Sequence, residues 1–347
     1  MPTLAYEPLN KISTEILHAA GLPRDQAEVA AHHLVEANLV GHDSHGVIRI
    51  PQYVPRLVSG ELRPVGGQKI VRERPASVVM DANGSFGIVL AYDAMQRAVE
   101  MAMDNTFGAV AVHNSGHIGR LGAYPPLAAE KDCIGVVLLN GGAQFVAPYG
   151  GVARRLPPNP LAISVPTATG VMPMLDMTTS VAAGGKVDVY RARGLPLPDG
   201  WLVDAAGNTV NDANRFREGD VAMMPMGGAV GYKGYGLAFM IDAIAGGLSW
   251  AGCSAESPTR GGSGYLALAI KIDSFIDVDD FKSEIQTMVE WLKSSPTMPG
   301  FDEVLIPGEV EERTKQRRLA EGIPVEQATW DAIVKAGAGV GVEVPPD

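Results

Sequence analysis

The chain has 347 residues, 46% of them hydrophobic, enough to bury one large core or two smaller ones without staples. A formal charge of −11 and a pI near 5.1 exclude a nucleic-acid partner, whose phosphates demand a basic surface. The two cysteines, Cys133 and Cys253, both fall in apolar stretches far apart, which excludes a disulfide framework and a CxxC metal knuckle and favours a reducing compartment.

The opening segment, MPTLAYEPLNKISTEIL, shows no basic region followed by an apolar run, and no stretch reaches roughly 18 uninterrupted apolar residues. A soluble, cytoplasmic protein is the expectation. LNKISTEILHAAG reads as a helix ending at Gly21. A second helix starts at Pro23 and Asp25 and stops at Gly41, with Val29, Leu34 and Leu39 at helical spacing. From about Lys69 the texture changes. Short β-rich runs at 77–80, 108–112, 134–139 and 161–166 alternate with helical patterns such as 91–105. Residues 234–249 read as one buried, nearly all-apolar helix, 264–273 as a strand and 278–294 as an amphipathic helix. The tail from Pro307 returns to helix in two pieces. The fold class is therefore α/β (α+β) with a sizeable sheet, and the two helical ends are expected to pack together as one discontinuous domain.

All seven histidines precede residue 118, so a histidine acid or base has few candidates. Ser44-His45 and Arg49 lie at the junction between the second helix and the segment that Pro51 starts. Gly41 and Gly46 free the backbone there, and Arg49 offers a planar fork suited to a carboxylate. The same residues also fit a capped helix end with an exposed His45. His42, Asp43 and His45 lack a recognisable metal-ligand spacing. The run GAVAV should be a buried strand that delivers His113-Asn114-Ser115-Gly116-His117 into a loop at its carboxyl end, where open sheets place active-site groups. His117, followed by Gly119, Arg120 and Gly122, is open to close approach by a ligand, whereas His113 suits a core position. Two glycine-rich stretches, 176–186 and 227–236, have phosphate-binding potential, the second with Lys233 at a helix start. Ordinary loop geometry accounts for them equally. Neither GxGxxG nor GxxxxGK[ST] occurs, so a nucleotide needs another cradle.

Taken together, GHDSHGVIRIPQYV, HNSGHIGRLG, APYGG, NPLAISVP, LDMTTSVAAGGK, GYKGYGLAFMIDAIAGGLS and IPGEVEERTKQRRLAEGIPV resemble the malate/L-lactate dehydrogenase family. This non-Rossmann group includes ureidoglycolate, L-sulfolactate and hydroxycarboxylate dehydrogenases and piperideine-2-carboxylate reductases. The resemblance implies a homodimer with a non-Rossmann NAD(P)-binding domain and a mixed sheet, spanning 73–294, plus a mainly helical domain from 1–72 and 295–347. It implies His117 as the catalytic acid–base, Ser44 and His45 in proton relay and cofactor contact, and Lys186 as a further relay member. Arg49, Arg120 and Asn159 match substrate positions. Gly119, Arg120 and Leu121 match a cofactor loop, as do Asp176, Met177, Thr178, Thr179 and Ser180, Tyr232 with Lys233, and Pro307, Gly308, Glu309, Val310 and Glu311. The chain departs from the family at Pro157-Pro158-Asn159-Pro160, where GTNP is common, and at DMTTS, where DMATS is. Tyr232 stands where proline or histidine is frequent, the YPPLA segment puts two prolines where a helix is usual, and the loop at Asn140 lacks a serine.

The implied activity is NAD- or NADP-dependent transfer of a hydride between nicotinamide and a small 2-hydroxy or 2-oxo acid, with no metal. The alternatives are reduction of a cyclic 2-imino acid, an inactive protein that binds a hydroxy acid or nucleotide, and, more distantly, a metal-dependent hydrolase built on His42, Asp43, His45 and His117.

Overall fold

The computed structural model describes residues 2–256 and 263–344. A short strand, β1 (Thr3–Leu4), leads into three helices, α1 (Tyr6–Ala19), α2 (Arg24–Leu39) and α3 (Ile50–Val58). Between α2 and α3 the chain makes two tight turns, Asp43–His45 and Val47–Arg49. Pro51 sits in the first turn of α3, where its missing N–H leaves no helical bond unmade.

The β-rich region follows as β2 (Lys69–Arg74), β3 (Ser77–Asp81), α4 (Gly87–Asn105), β4 (Phe107–Ser115), α5 (Pro125–Ala129), β5 (Cys133–Asn140), β6 (Leu161–Ser164) and β7 (Met174–Met177). Next come α6 (Gly184–Ala192), three two-residue strands β8 (Leu202–Val203), β9 (Thr209–Val210) and β10 (Ala222–Met223) with α7 (Ala213–Glu218) between the last two, then α8 (Tyr232–Ile241) and α9 (Gly247–Ser249). β11 (Ser263–Lys271) precedes α10 (Val278–Lys293), α11 (Glu309–Glu321), β12 (Ile323–Pro324) and α12 (Gln327–Gly339).

Seven strands form the central sheet in the order β2-β3-β4-β11-β5-β6-β7. β3 and β4 are parallel and the other neighbours antiparallel, so the sheet is mixed. β2 forms an exposed edge whose KIVRER sequence sets charges along unpaired backbone, which discourages edge-to-edge association. Val110 and Val112 of β4, Tyr265 of β11 and Met95 and Ala98 of α4 fill one core. A second core takes Leu9, Ile16, Leu34, Ile50 and Tyr53 from the start of the chain and Ile323, Trp330 and Ile333 from its end. β1 and β12 pair antiparallel over it, so both ends of the chain share one packed body.

Two sequence expectations need correction, and one part of the fold carries no sequence expectation at all. Residues 234–249 are not one buried helix: α8 gives way to a π turn at Asp242–Gly246 before α9. The break falls where Asp242, inside the apolar run, turns its carboxylate inward to accept from Asn140 Nδ2 at 2.7 Å, Asn159 Nδ2 at 3.1 Å and Ser254 N at 2.9 Å. π turns occur mostly as single turns of this kind inside α-helices, frequently at functional sites. Phe239, Met240 and Leu248 of this stretch are exposed. The three-stranded β8–β10 sheet, around its own core of Val187, Leu197, Phe216 and Met223, has strands too short to show periodicity and was not foreseen. Cys253 is exposed, although Cys133 is buried as expected. Among the described residues no helix is long and apolar enough to cross a membrane.

Candidate active site

The turn carrying Ser44 and His45 is built from α2. Asn38 is buried in the last turn of that helix; its Oδ1 accepts from Val47 N at 2.8 Å and its Nδ2 donates to Asp43 Oδ1 at 2.7 Å. Gly46 has to be glycine here, because a Cβ would stand 2.1 Å from Asn38 Oδ1. Arg318 of α11 closes the turn from outside, donating to Asp43 through both terminal nitrogens at 2.6 and 3.0 Å and also to the Asn38 carbonyl. Within the turn the Ser44 hydroxyl lies 3.1 Å from His45 Nδ1, and Arg49 Nε donates to the Ser44 carbonyl at 2.7 Å.

His117 arrives from the other side. β4 runs through Ser115, so His113 belongs to the strand and His117 to the loop beyond it. The rings of His117 and His45 stack at 5.5 Å with 12° between their planes. Tyr53, buried in α3, places its hydroxyl 2.7 Å from His117 Nδ1, and Gly119 N–H donates to the same nitrogen at 3.3 Å. Burial, with Arg49 and Arg56 adding positive charge, pushes the His117 imidazole down to about 4. Burial and the neighbouring His117 push His45 down to about 3. Both rings are therefore neutral near pH 7.

Behind this cluster the 117–122 loop bends onto the next. Gly119 takes φ +67°, and a Cβ there would stand 2.1 Å from His33 Nε2, the atom that accepts from Arg120 N at 3.0 Å. The Arg120 side chain is buried, donating to Glu36 Oε2 at 2.6 Å, with Nη1 4.0 Å from Asp176 Oδ2. Asp176 Oδ2 also accepts from Gly122 N at 2.8 Å; burial raises this carboxyl and Arg120 opposes the rise. Pro307 O accepts from Met174 N at 3.1 Å, next to Asp176, and Glu311 lies 3.4 Å from His42 Nε2. The hydrogen bond from His42 holds the Glu311 carboxyl below its ordinary value.

The remaining residues form a neighbouring group. Thr179 O accepts from Met226 N at 2.9 Å, which ties the 176–180 loop to the glycine-rich turn before α8. Tyr232 and Lys233 are exposed at the start of that helix, and the Tyr232 ring meets Tyr149 edge-on at 6.0 Å. Asn159 is fully buried, its amide nitrogen turned to Ala238 O at 3.0 Å and to Asp242, while its Oδ1 has no partner. Its carbonyl accepts from the Thr179 hydroxyl at 3.2 Å. Lys186 is exposed on α6, one residue after Gly185, whose missing side chain leaves room for Ser44.

The fold thus brings together Ser44, His45, Arg49 and His117 as one cluster, and Arg120, Asp176 and 307–311 as a second. Sequence reasoning missed Tyr53, Glu36 and Asp242. Tyr53 left a signal: it follows Arg49 by four residues in the helix that Pro51 starts, so both occupy one face. Asp43, named for a metal, is committed to Arg318 and Asn38. Among the described residues no three His, Cys, Asp or Glu side chains converge to hold a metal ion.

Residues 4–334 match the malate/L-lactate dehydrogenase family. The malate dehydrogenase of Pyrococcus horikoshii is 35% identical over 336 residues, covering 94% of this chain and 92% of that protein. The L-sulfolactate dehydrogenase of Methanothermobacter thermautotrophicus is 36% identical, covering 93% of each. The crystal structure of malate dehydrogenase from Entamoeba histolytica superposes with a TM-score of 0.93 at 27% identity over 99% of both chains. Matched to the family from residue 4 to residue 334 and 35 and 36% identical to two of its members over more than nine tenths of its length, this protein belongs to the malate/L-lactate dehydrogenase family.

Proposed function

We propose that the protein is an NAD- or NADP-dependent oxidoreductase interconverting a small 2-hydroxy acid and its 2-oxo acid, acting in the cytoplasm as a homodimer. The observation that carries the reading is the pairing of His117 with His45 and Arg49 on the face of the Ser44–Arg49 turn. A two-carbon carboxylate-carbonyl unit needs one fixed cation and one proton donor side by side, and this cluster supplies both.

The chain's donor set fits a nicotinamide dinucleotide. The exposed Lys233 follows a glycine-rich turn and makes no ion pair among the described residues. It offers charge to phosphates. The 176–180 loop, with the hydroxyls of Thr178 and Ser180, is tied through Thr179 to the turn before Lys233 and Tyr232; Asp176, Glu311, Gly119–Leu121 and Pro307–Val310 belong to the adjoining Arg120 group, and we assign both groups to the cofactor. When bound, the nicotinamide supplies or accepts the hydride at the 2-carbon. The protein's part is to bind and to move a proton. Arg49 holds the substrate carboxylate, with Ser44 and His45 fixing the turn and relaying protons. His117 gives its proton to the carbonyl oxygen in reduction and removes it in oxidation. An anionic substrate beside it offsets the charge of Arg49 and lifts the imidazole back toward the range where it can carry that proton. We assign Arg120 and Asn159 to holding the cofactor and substrate loops through their buried partners, and Lys186 to the outer end of the relay.

Exposed apolar side chains support the dimer. Phe239, Met240 and Leu248 near α8 and α9, and Trp291 and Leu292 on α10, face away from the chain's own cores. We take the body shared by the chain ends as one domain and the sheet as the other.

The test is absorbance at the reduced-nicotinamide band with pyruvate, oxaloacetate, sulfopyruvate, phenylpyruvate and a cyclic imino acid, each with NADH and NADPH. Turnover of a 2-oxo acid is expected. Turnover of the imino acid alone would replace this reading with the reductase alternative.

A further inference from the structure

His117 Nδ1 is faced by two protein groups of different kinds. Gly119 N–H, at 3.3 Å, can only donate. At rest, the neutral His117 ring therefore leaves Nδ1 bare and carries its proton on Nε2. The Tyr53 hydroxyl, at 2.7 Å, can donate or accept.

Burial and the nearby guanidinium groups oppose a second proton on the ring. Arg49 and Arg56, from the same stretch as Tyr53, add positive charge to the cost of burial, and the neutral rings of His45, stacked on it, and His33, behind the 117–120 loop, supply no negative charge. The Tyr53 oxygen is the acceptor among them. The phenol is held in place by burial and by the Phe86 ring, which meets it edge-on at 5.1 Å. Burial also raises the phenol's own ionisation, so it stays protonated and acts by turning its O–H rather than by giving the proton up.

We propose that Tyr53 is a positioning residue that follows His117 through its protonation cycle, donating to the bare Nδ1 of the neutral ring and accepting from Nδ1–H once the ring is doubly protonated. In reduction the imidazolium breaks its Nε2–H bond, the electron pair stays on Nε2, and the substrate alkoxide gains the proton as a hydroxyl. The ring is left for that moment as the Nδ1–H form with Tyr53 as its acceptor. Exchange with water then returns it to the Nε2–H form that Gly119 imposes. In oxidation the base must be Nε2, so the Nδ1–H form has to be reached first, again with Tyr53 accepting. The inference rests on the acid–base role given to His117.

The experiment is ¹⁵N–¹H correlation of the histidine rings in wild type and in Tyr53→Phe between pH 7.5 and 3, with turnover of both proteins measured at pH 7.5. Wild type should show the Nε2–H form at pH 7.5 and the onset of protonation toward pH 5. In Tyr53→Phe the form at pH 7.5 should persist, because Gly119 remains, but the onset should move at least about one pH unit lower, as expected for loss of an acceptor to a charged group. Oxo-acid turnover should drop about tenfold or more in kcat with KM little changed, which a purely structural role of Tyr53 would not produce. An Nδ1–H form in wild type, or the same titration in both proteins, overturns the proposal. If the titration moves while turnover stays, the Tyr53 partnership stands and the catalytic role of His117 falls.

Discussion

At the scale of single residues, the proposed reaction turns on one imidazole, His117, whose proton affinity burial lowers. Replacing His117 with Ala should cut turnover by about 10² to 10⁴, while cofactor binding, followed by the fluorescence of the reduced nicotinamide, stays nearly unchanged. The same residue also sets a limit on stability in acid. Its value falls from 6.5 in the unfolded chain to about 4 in the folded one. Between those values the unfolded chain holds a proton that the folded chain refuses. Stability should therefore be full above about pH 6.5 and fall as the pH drops toward 4, by about 3 kcal/mol from this group. Urea unfolding of His117→Gln at pH 7.5 and at pH 5 should show a smaller loss than wild type over the same interval. An equal loss would mean that the imidazole is already charged in the folded protein.

At the scale of elements, α11 acts as a strut. Glu311 near its start meets His42, and Arg318 near its end grips Asp43 and Asn38, so one helix fixes both residues that precede Ser44. Truncation by Arg318→Ala removes three donated hydrogen bonds, leaves the Asn38 carbonyl and the Asp43 carboxylate without them, and should cost about 1–3 kcal/mol in urea unfolding. Asp242→Leu is the matching test on the other side of the site. It strands the amides of Asn140 and Asn159 and should lower the melting temperature more than Arg318→Ala does, because its partners are buried.

Much of this layer was legible in the sequence. The runs at 77–80, 108–112 and 134–139 lie in the observed strands, 264–273 coincides with β11 as far as Lys271, where a tight turn takes over, and the amphipathic stretch 278–294 matches α10 to Lys293, because each carries the period of its own structure. His117 and the Ser44-His45-Arg49 group stood out because glycines flank catalytic residue types. What the sequence concealed has physical causes as well. Tyr53 looks like any core aromatic until α3 turns it toward His117. The buried carboxylate of Asp242 is hidden in a run whose apolar composition suggests an unbroken helix. The two-residue strands β8 to β10 are too short for any alternation to register.

At the scale of the whole molecule, the exposed apolar residues of α8, α9 and α10 are the feature a single chain leaves unexplained. Trp291 is 76% and Leu248 60% exposed, in a chain whose charge of −11 otherwise keeps it apart from its copies. Sedimentation equilibrium should give twice the 36.5 kDa chain mass, and Phe239→Lys with Trp291→Lys should shift it toward the single-chain value. A wild-type protein that stays at the single-chain mass at micromolar concentration would remove the dimer.

The most direct measurement is reduced-nicotinamide consumption with a panel of 2-oxo acids, run on wild type and on His117→Ala in parallel. The expected result is turnover of at least one 2-oxo acid by wild type and its loss by about two orders of magnitude or more in the variant. Equal turnover by both proteins, or none by wild type while cofactor is bound, would contradict the assignment of this site to hydroxy-acid dehydrogenation.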